Sequence, residues 1–198
     1  QVYTRWSGAL NSMFTVQNGR VVYGSRFSAA IDDNQRRLME NARRDFDVTP
    51  ENRTLVEAAA RVTAEQLVMN QIATNIAGLR SDIAYDRSNI TTNPNLTGTQ
   101  AVAELQRYDR VVTVPIHRMI DSITPAFNAR GEALDAAVSL EDLRGSGVLR
   151  RRQSERSESG SASQSNYEYS TVDRGQLFEL NARIVTAHAV RDEVLLAA

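Results

Sequence analysis

Residues 50–87 carry the longest uninterrupted periodic pattern in the chain, and this pattern constrains the fold more than any other feature. Apolar residues recur there every seven positions, with others three positions further on: Leu55, Val62, Met69, Ile76 and Ile83, then Ala58, Ile72 and Leu79. Such a stripe is typical of a helix packed along its length against other helices. Thr49 and Pro50 precede it as the N-cap hydroxyl and the first helical residue. This helix would be ~57 Å long, and we expect the rest of the chain to pack along it.

Two polar residues, Glu65 and Gln66, interrupt the apolar stripe in mid-helix. We therefore expect this part of the helix to meet water or a polar partner. The helix is also longer than the apolar stripes of residues 27–46 and 177–195 can cover. Its excess length is where the sequence predicts contact with a neighbouring subunit.

A β-hairpin is predicted near the amino terminus, and we treat residues 1–24 as an appendage. Segments 14–17 and 20–23 flank Asn18 and Gly19, two residues that tolerate positive φ and form tight hairpin turns. A two-stranded hairpin is marginal in water, so it must lie on the helices or on another subunit.

The residues before the hairpin have two interpretations. Val2, Tyr3 and Trp6 are expected either to add a strand or to cover the hairpin. Trp6 is the lone tryptophan, and its size favours a role as a core anchor over a role as a binding-surface residue.

Residues 25–143 are predicted to form the main helical bundle. Apolar residues at helical spacing predict further helices over 25–46, 99–112, 116–123 and from Thr124–Pro125 to Gly145, with a turn-rich loop over 88–98. Pro115 is expected to break the chain between two of them, and Thr124 is expected to cap the next one. The predicted fold is mainly α, an elongated helical bundle around residues 50–87 with a small β-hairpin.

The composition changes sharply at residues 144–166, a polar tract rich in serine and arginine that reads as a linker. Arg150, Arg151 and Arg152 are consecutive there. Since no aromatic residue is interleaved to stack a base and glutamates follow at once, nucleic-acid binding is not expected. Residues 167–198 are predicted to form a short strand and a final helix that returns to the bundle.

Several classes of function are disfavoured by what the chain lacks. Without cysteine there is no disulfide framework and no thiolate zinc site. The net charge of −1 gives no general attraction for nucleic acid or anionic membranes, and no apolar run is long enough for a membrane span. His117 and Asp121 lie four residues apart, but a surface contact is favoured over a proton-transfer pair or half of a metal site. We expect no catalytic residues, no metal and no cofactor.

All 23 basic residues are arginine. A genome rich in GC codons is one explanation. Selection for bidentate arginine–carboxylate pairs at subunit interfaces is the other.

The segment Leu180-Asn-Ala-Arg-Ile184, within an alanine-rich amphipathic helix at the carboxyl end, resembles a segment of the minor pilins of type IV secretion systems. That family comprises secreted, elongated helical bundles at the tips of conjugation pili. The resemblance covers about fifteen residues and implies an assembly role, but it assigns no functional residue. Internal virion proteins of short-tailed bacteriophages share the same helical style.

The predicted function is a non-enzymatic structural subunit of a bacterial surface or secretion assembly, or of a viral one. A bacteriophage virion or ejection protein is the alternative, and a stand-alone surface-binding or adhesion module is the third hypothesis. The initial glutamine, Gln1, fits either a processed periplasmic or extracellular protein or a fragment. The expected partners are protein subunits, with no small-molecule substrate. The candidate interface residues are Trp6, Tyr23, Glu65, Gln66, Arg150, Arg151, Arg152, Tyr167 and Tyr169.

Overall fold

The computed structural model describes residues 2–152, with side chains from residue 4 onward. This part of the chain is mainly helical and carries one small antiparallel hairpin near the amino terminus, as the sequence predicted. Its elements in chain order are α1 (Val2–Met13), β1 (Phe14–Gln17), β2 (Arg20–Tyr23), α2 (Ser25–Asp45), α3 (Arg53–Thr91), α4 (Gly98–Tyr108), a π-helix (Asp109–Thr113), α5 (Val114–Ala136) and α6 (Leu140–Gly145). The predicted strand and helix of residues 167–198 lie outside the described residues.

The hairpin has the predicted turn. β1 and β2 pair in register from Phe14 opposite Tyr23 to Gln17 opposite Arg20. Asn18 and Gly19 both have positive φ, 53° and 75°, as a two-residue turn with the right-handed strand twist requires. The hairpin packs through Phe14, whose ring is buried and stacks on Phe127 at 5.2 Å between ring centroids.

The residues before the hairpin form helix α1 rather than a strand, which corrects one interpretation of Val2, Tyr3 and Trp6. Trp6, Leu10 and Met13 follow the spacing of one helical face, and all three side chains are buried. Burial of this face outweighs the β-propensity of Val2 and Tyr3.

The long helix begins at Arg53, three residues after the predicted Pro50, and a capped turn over residues 50–52 leads into it. Thr49 Oγ1 accepts a hydrogen bond from the Asn52 N–H at 3.3 Å, and Asn52 Oδ1 accepts one from the Thr49 N–H at 2.8 Å. This reciprocal cap satisfies two backbone donors that the first turn leaves without partners. The helix then continues to Thr91, so the first part of the predicted loop over 88–98 is helical.

The apolar stripe of α3 is only part of its buried surface. Val62, Met69, Ile72 and Ile83 of the predicted stripe are buried, and the rest of the stripe is half-buried. Further buried residues lie between its positions: Val56, Ala59, Ala60, Ala64, Glu65 and Val68. Residues 56–72 are therefore covered on more than one side, which a two-stranded coiled coil would not do.

Neither Pro115 nor Pro125 ends a helix, contrary to the prediction, because residues 98–136 form one continuous helical run. The π-helix directly precedes Pro115, and the Val114 N–H donates to the Asp109 carbonyl five residues back. This wider turn makes room for a ring that would collide with the carbonyl four residues earlier. Pro125 lies inside α5, and Thr124 Oγ1 donates to the Ile120 carbonyl at 2.7 Å instead of capping a new helix.

The helix predicted to reach Gly145 is interrupted after Ala136, where Ser139 caps the short helix α6. From the end of α6 to Arg152 the chain packs against earlier parts of the chain and does not form the predicted free linker. Leu149 is fully buried, and residues 150–152 pair with residues 45–47 through an antiparallel bridge between Phe46 and Arg151. The remainder of the predicted linker over 144–166 lies outside the described residues.

Contacts divide the chain into two compact units. Unit 1 comprises residues 1–28 and 68–130, and unit 2 comprises residues 29–67 and the chain from 131 onward. The core of unit 1 consists of Trp6, Leu10, Met13, Phe14, Val68, Met69, Ile72, Ile83, Val112, Ile116 and Ile120. A cluster in the core of unit 2 consists of Met39, Ala42, Phe46, Val56, Ala59, Ala60, Val138, Leu140, Leu143 and Leu149.

Candidate functional site

The least covered part of unit 1 is a helical hairpin, residues 73–111, which we call the hairpin tip. It consists of the end of α3, the connection 92–97, α4 and the first residues of the π-helix. Ile83 is its one buried side chain, and α4 has none even though its sequence is amphipathic. The apolar side chains of this segment therefore stay partly open to solvent, and we call the apolar strip that they form on α3 and α4 the seam.

The open seam and its surroundings are apolar. Tyr85 is 68% exposed and Val102 is 56% exposed. Other apolar residues of the tip are only half-buried: Ile76, Leu79, Ile90 and Leu105. Large apolar residues clustered on one exposed helical hairpin mark a surface for protein contact more often than scattered ones do.

A polar network fixes the two helices of the tip to one another. Arg87 donates to both carboxylate oxygens of Asp109, from Nε at 2.8 Å and from a terminal nitrogen at 3.2 Å. Thr113 Oγ1 donates to the same carboxylate at 2.7 Å. One position away, the Tyr108 hydroxyl donates to Asp86 at 2.7 Å. A bidentate arginine–carboxylate pair with a third donor sets the register of the two helices as well as holding them together.

The network shifts the pKa values of its members. Burial by itself would raise the pKa of Asp109, but the hydrogen bonds from Thr113 and Arg87, with the charges of Arg87 and His117, lower the pKa below its ordinary value. Burial, the hydrogen bond to Asp86 and nearby carboxylates raise the pKa of Tyr108 well above its ordinary range. Asp109 thus stays ionised and Tyr108 stays a proton donor around neutral pH.

The π-helix places two members of this network. Asp109 begins the widened turn and Thr113 ends it, so the Thr113 hydroxyl lies within hydrogen-bond distance of the Asp109 carboxylate. π-turns inserted in α-helices are frequent at functional positions. Here the wide turn accommodates Pro115 and holds Asp109 beside Arg87 of α3.

The Asp109 pair makes stability depend on pH. Its pKa in the folded protein lies below 3.8, so near that pH the unfolded chain binds more protons than the folded one. The stabilisation is complete above about pH 5 and is lost as the pH falls through the lowered pKa. We therefore expect the difference in unfolding free energy between the wild type and Asp109→Asn to shrink from pH 7 to about pH 3, measured by urea denaturation.

Asp121→Asn serves as the control for this titration. Asp121 is well exposed and lies 3.9 Å from Arg80, so its removal should change stability little at either pH. A difference between wild type and Asp109→Asn that stays constant with pH would contradict the assigned role of the carboxylate.

The charges of the tip balance. Residues 73–111 contain four arginines and four acidic residues. Arg107 lies 3.6 Å from Glu104 within α4, and Arg80 reaches Asp121 of α5. A neutral surface of mixed sign attracts neither polyanions nor polycations, and it suits contact with another surface of the same kind.

The predicted interface residues differ in how exposed they are in the structure. Trp6 is buried, in agreement with its interpretation as a core anchor, and Tyr23 is half-buried. Glu65 is 4% exposed, which excludes contact with water and leaves the predicted alternative of a polar partner. Gln66 has its polar partners within unit 2, the Leu134 carbonyl at 3.4 Å and the Asp135 carboxylate at 3.3 Å. Arg150, Arg151 and Arg152 are exposed, and Tyr167 and Tyr169 lie outside the described residues.

Tyr85 and Val102 were not predicted as site residues. The signal that pointed toward them was the excess length of the long helix, whose end is one half of the tip. The apolar face of α4 was visible in sequence, but whether another element covers it depends on tertiary structure.

The described residues contain no arrangement typical of a metal centre. Among residues 2–152 no three His, Cys, Asp or Glu side chains are grouped so as to hold a metal ion. Asp121 pairs with Arg80, while His117 lies near Asp109. In unit 2 a surface groove is lined mainly by charged residues: Asp32, Gln35, Arg36, Met39, Glu40, Arg43 and Glu57. No helix in the described part of the chain is long and apolar enough to span a membrane.

Comparison with known proteins assigns no relative to this chain. No protein family matches its sequence, and no curated protein or solved structure is significantly similar to it.

Proposed function

We propose that the protein is a non-enzymatic structural subunit that assembles with further copies of itself through the hairpin tip. The observation that carries this proposal is that the tip is poorly buried: residues 73–111 contain one buried side chain. Exposed Tyr85 and Val102 and the half-buried seam supply the apolar contact surface.

The tip lacks the apolar burial that usually stabilises helices, which indicates that another element covers it in the assembled protein. Isolated helices as short as the 11-residue α4 are marginal in water, and helices in proteins gain most of their stability from packing of an amphipathic face. The polar network at Asp109 fixes the register of the tip but adds little apolar burial. Covering the seam with another helical element would supply that burial.

A second copy is the partner that the surface fits. The tip has equal numbers of positive and negative side chains, which allows a self-complementary contact around a two-fold axis. Its two helical arms are each ~25 Å long and ~10 Å wide, so together they offer at most ~500 Å² per copy, which is at the low end of specific interfaces.

We propose a bacterial surface or secretion assembly, pilus-like in kind, as the setting, in the periplasm or outside the cell. The resemblance of residues 180–184 to minor pilins supports this setting. A bacteriophage virion is the alternative setting, with the same packing mechanism. The apolar surface of the tip would equally serve an adhesion module that acts alone. The oligomeric state distinguishes the hypotheses, because an adhesion module would be a monomer and an assembly subunit an oligomer.

The absence of cysteine makes a sharp test available. In Val102→Cys the introduced thiol is the single thiol of each chain, so a short bismaleimide can join only two copies. We expect a covalent dimer in high yield on a denaturing gel. The matched control is Val22→Cys, an exposed valine of β2 outside the tip, which should give little dimer.

Two results would contradict the proposal. One is the same low yield of covalent dimer for both variants across micromolar concentrations. The other is a Val102→Cys thiol that is protected from maleimide in a monomer, because the tip would then be covered by a segment of the same chain.

A further inference from the structure

Two arginine-containing segments that are distant in sequence lie beside each other in unit 2. Residues 150–152 lie antiparallel to residues 45–47, with hydrogen bonds from the Asp47 N–H to the Arg150 carbonyl at 2.7 Å and from the Arg152 N–H to the Asp45 carbonyl at 2.9 Å. This pairing places the three consecutive arginines beside the last turn of α2, which carries two more. We call the resulting surface the arginine patch: Arg43, Arg44, Arg150, Arg151 and Arg152.

The patch has a charge opposite to that of the rest of the chain. Segments 43–47 and 150–152 hold five arginines and two aspartates, a net charge of +3, whereas the whole chain has −1. Arg43 also borders the groove that Asp32, Glu40 and Glu57 line. Arg44 pairs with Asp45 at 3.2 Å, and Arg152 lies 3.9 Å from Asp47. Both pairs are solvent-exposed, so they are weak and exchange readily for stronger anionic partners.

The backbone under the patch is firmly held. Phe46 and Leu149 are buried beneath it, and the Arg144 guanidinium lies over the Phe46 ring at 5.0 Å. The guanidinium groups are therefore presented from a fixed base, which lowers the entropy lost when they bind a ligand.

We infer that the arginine patch binds the phosphodiester backbone of duplex nucleic acid. Guanidinium groups bind phosphate oxygens in bidentate geometry. The patch exposes no aromatic ring on which an unpaired base could stack, because Phe46 is buried, and this favours a duplex over a single strand. It also exposes no large apolar side chain for insertion into a bilayer, which favours nucleic acid over a membrane surface.

The inference is independent of the hairpin tip, which lies in unit 1. Contacts to the backbone alone carry no sequence information, so binding should not depend on sequence. With about three to five phosphates contacted, a plot of the logarithm of affinity against the logarithm of salt concentration should have a slope of about −3 to −4.5. Affinity should then drop about 100-fold between 50 and 200 mM NaCl.

The experiment is fluorescence anisotropy of a labelled 20-base-pair duplex of arbitrary sequence, titrated with the full chain at both salt concentrations. Arg43→Gln with Arg150→Gln removes two exposed charges of the patch. We expect this variant to bind at least about 10-fold more weakly at 50 mM NaCl, with a salt slope reduced by about 2. The matched control, Arg26→Gln with Arg118→Gln, removes two exposed charges in unit 1 and should bind as the wild type does.

Thermal unfolding by circular dichroism must show the same transition for both variants, so that weaker binding reports the patch and not the fold. The inference is overturned if the wild type does not bind the duplex at 50 mM NaCl, or if the control variant loses as much affinity as the patch variant. It is also overturned if vesicles containing phosphatidylserine compete the duplex away at an equal concentration of anionic groups.

Discussion

Replacing Leu149 by alanine is expected to lower the free energy of unfolding by about 3 kcal/mol. Leu149 is 0% exposed and packs in the unit 2 cluster that includes Phe46 and Leu143. Truncation removes apolar burial and leaves a cavity between α6 and the bridge to residues 45–47, where the surrounding helices cannot collapse fully. Urea denaturation followed by circular dichroism measures the change.

Leu67→Ala is the matched control for this substitution. Leu67 lies in α3 but is 47% exposed, and alanine is the better helix former, so stability should change by less than about 0.5 kcal/mol. If Leu149→Ala proves as mild as Leu67→Ala, residues 146–152 would behave as a linker after all.

Placing glutamate at both Tyr85 and Val102 is expected to weaken self-association at least 100-fold. Both side chains are exposed in the free subunit, so the change leaves the fold of the tip intact. In a symmetric dimer the two substitutions remove apolar contacts and introduce four buried like charges, at a cost of several kcal/mol. Light scattering coupled to size-exclusion chromatography over a range of concentrations measures the dissociation constant.

The control for the tip adds the same charge elsewhere. Val22→Glu with Leu67→Glu replaces two exposed apolar residues outside the tip and should leave association unchanged. Equal loss of association in both double variants would mean that net charge, rather than the tip, governs assembly.

The elements predicted correctly from sequence are those whose signals are local. The hairpin follows from Asn18 and Gly19, because their positive φ values fix both the turn and the strand register. The Thr49 hydroxyl caps the turn that leads into α3 as expected, although the helix itself begins at Arg53 and not at Pro50. α2, predicted over 25–46, spans Ser25–Asp45, because its apolar face has clear helical spacing.

The breaks predicted at proline were wrong because neighbouring structure compensated for them. A π-turn before Pro115 gives its ring room, and the polar network at Asp109 and Thr113 stabilises that turn. Pro125 is tolerated inside α5, where Thr124 Oγ1 donates to the Ile120 carbonyl. Neither feature is visible within a window of sequence.

The burial of Glu65, the position of residues 150–152 and the exposure of the hairpin tip depend on tertiary contacts, which sequence patterns do not show. Glu65 and Gln66 are predicted to meet water or a polar partner because they interrupt an apolar stripe; Glu65 is buried because α3 is covered on several sides at that point, while Gln66 has polar partners. Arg150 to Arg152 were assigned to a linker, and only the bridge to residues 45–47 brings them beside α2. The hairpin tip was anticipated only as excess helix length, since exposure is a property of what packs on a helix.

The most direct test of the assembly role is the mass of the wild-type protein in solution. Sedimentation equilibrium at about 1 to 100 μM should show a discrete oligomer at an integral multiple of the 22.0 kDa chain mass, dissociating toward monomer at the lowest concentrations. A single species of 22.0 kDa across the whole range would contradict it.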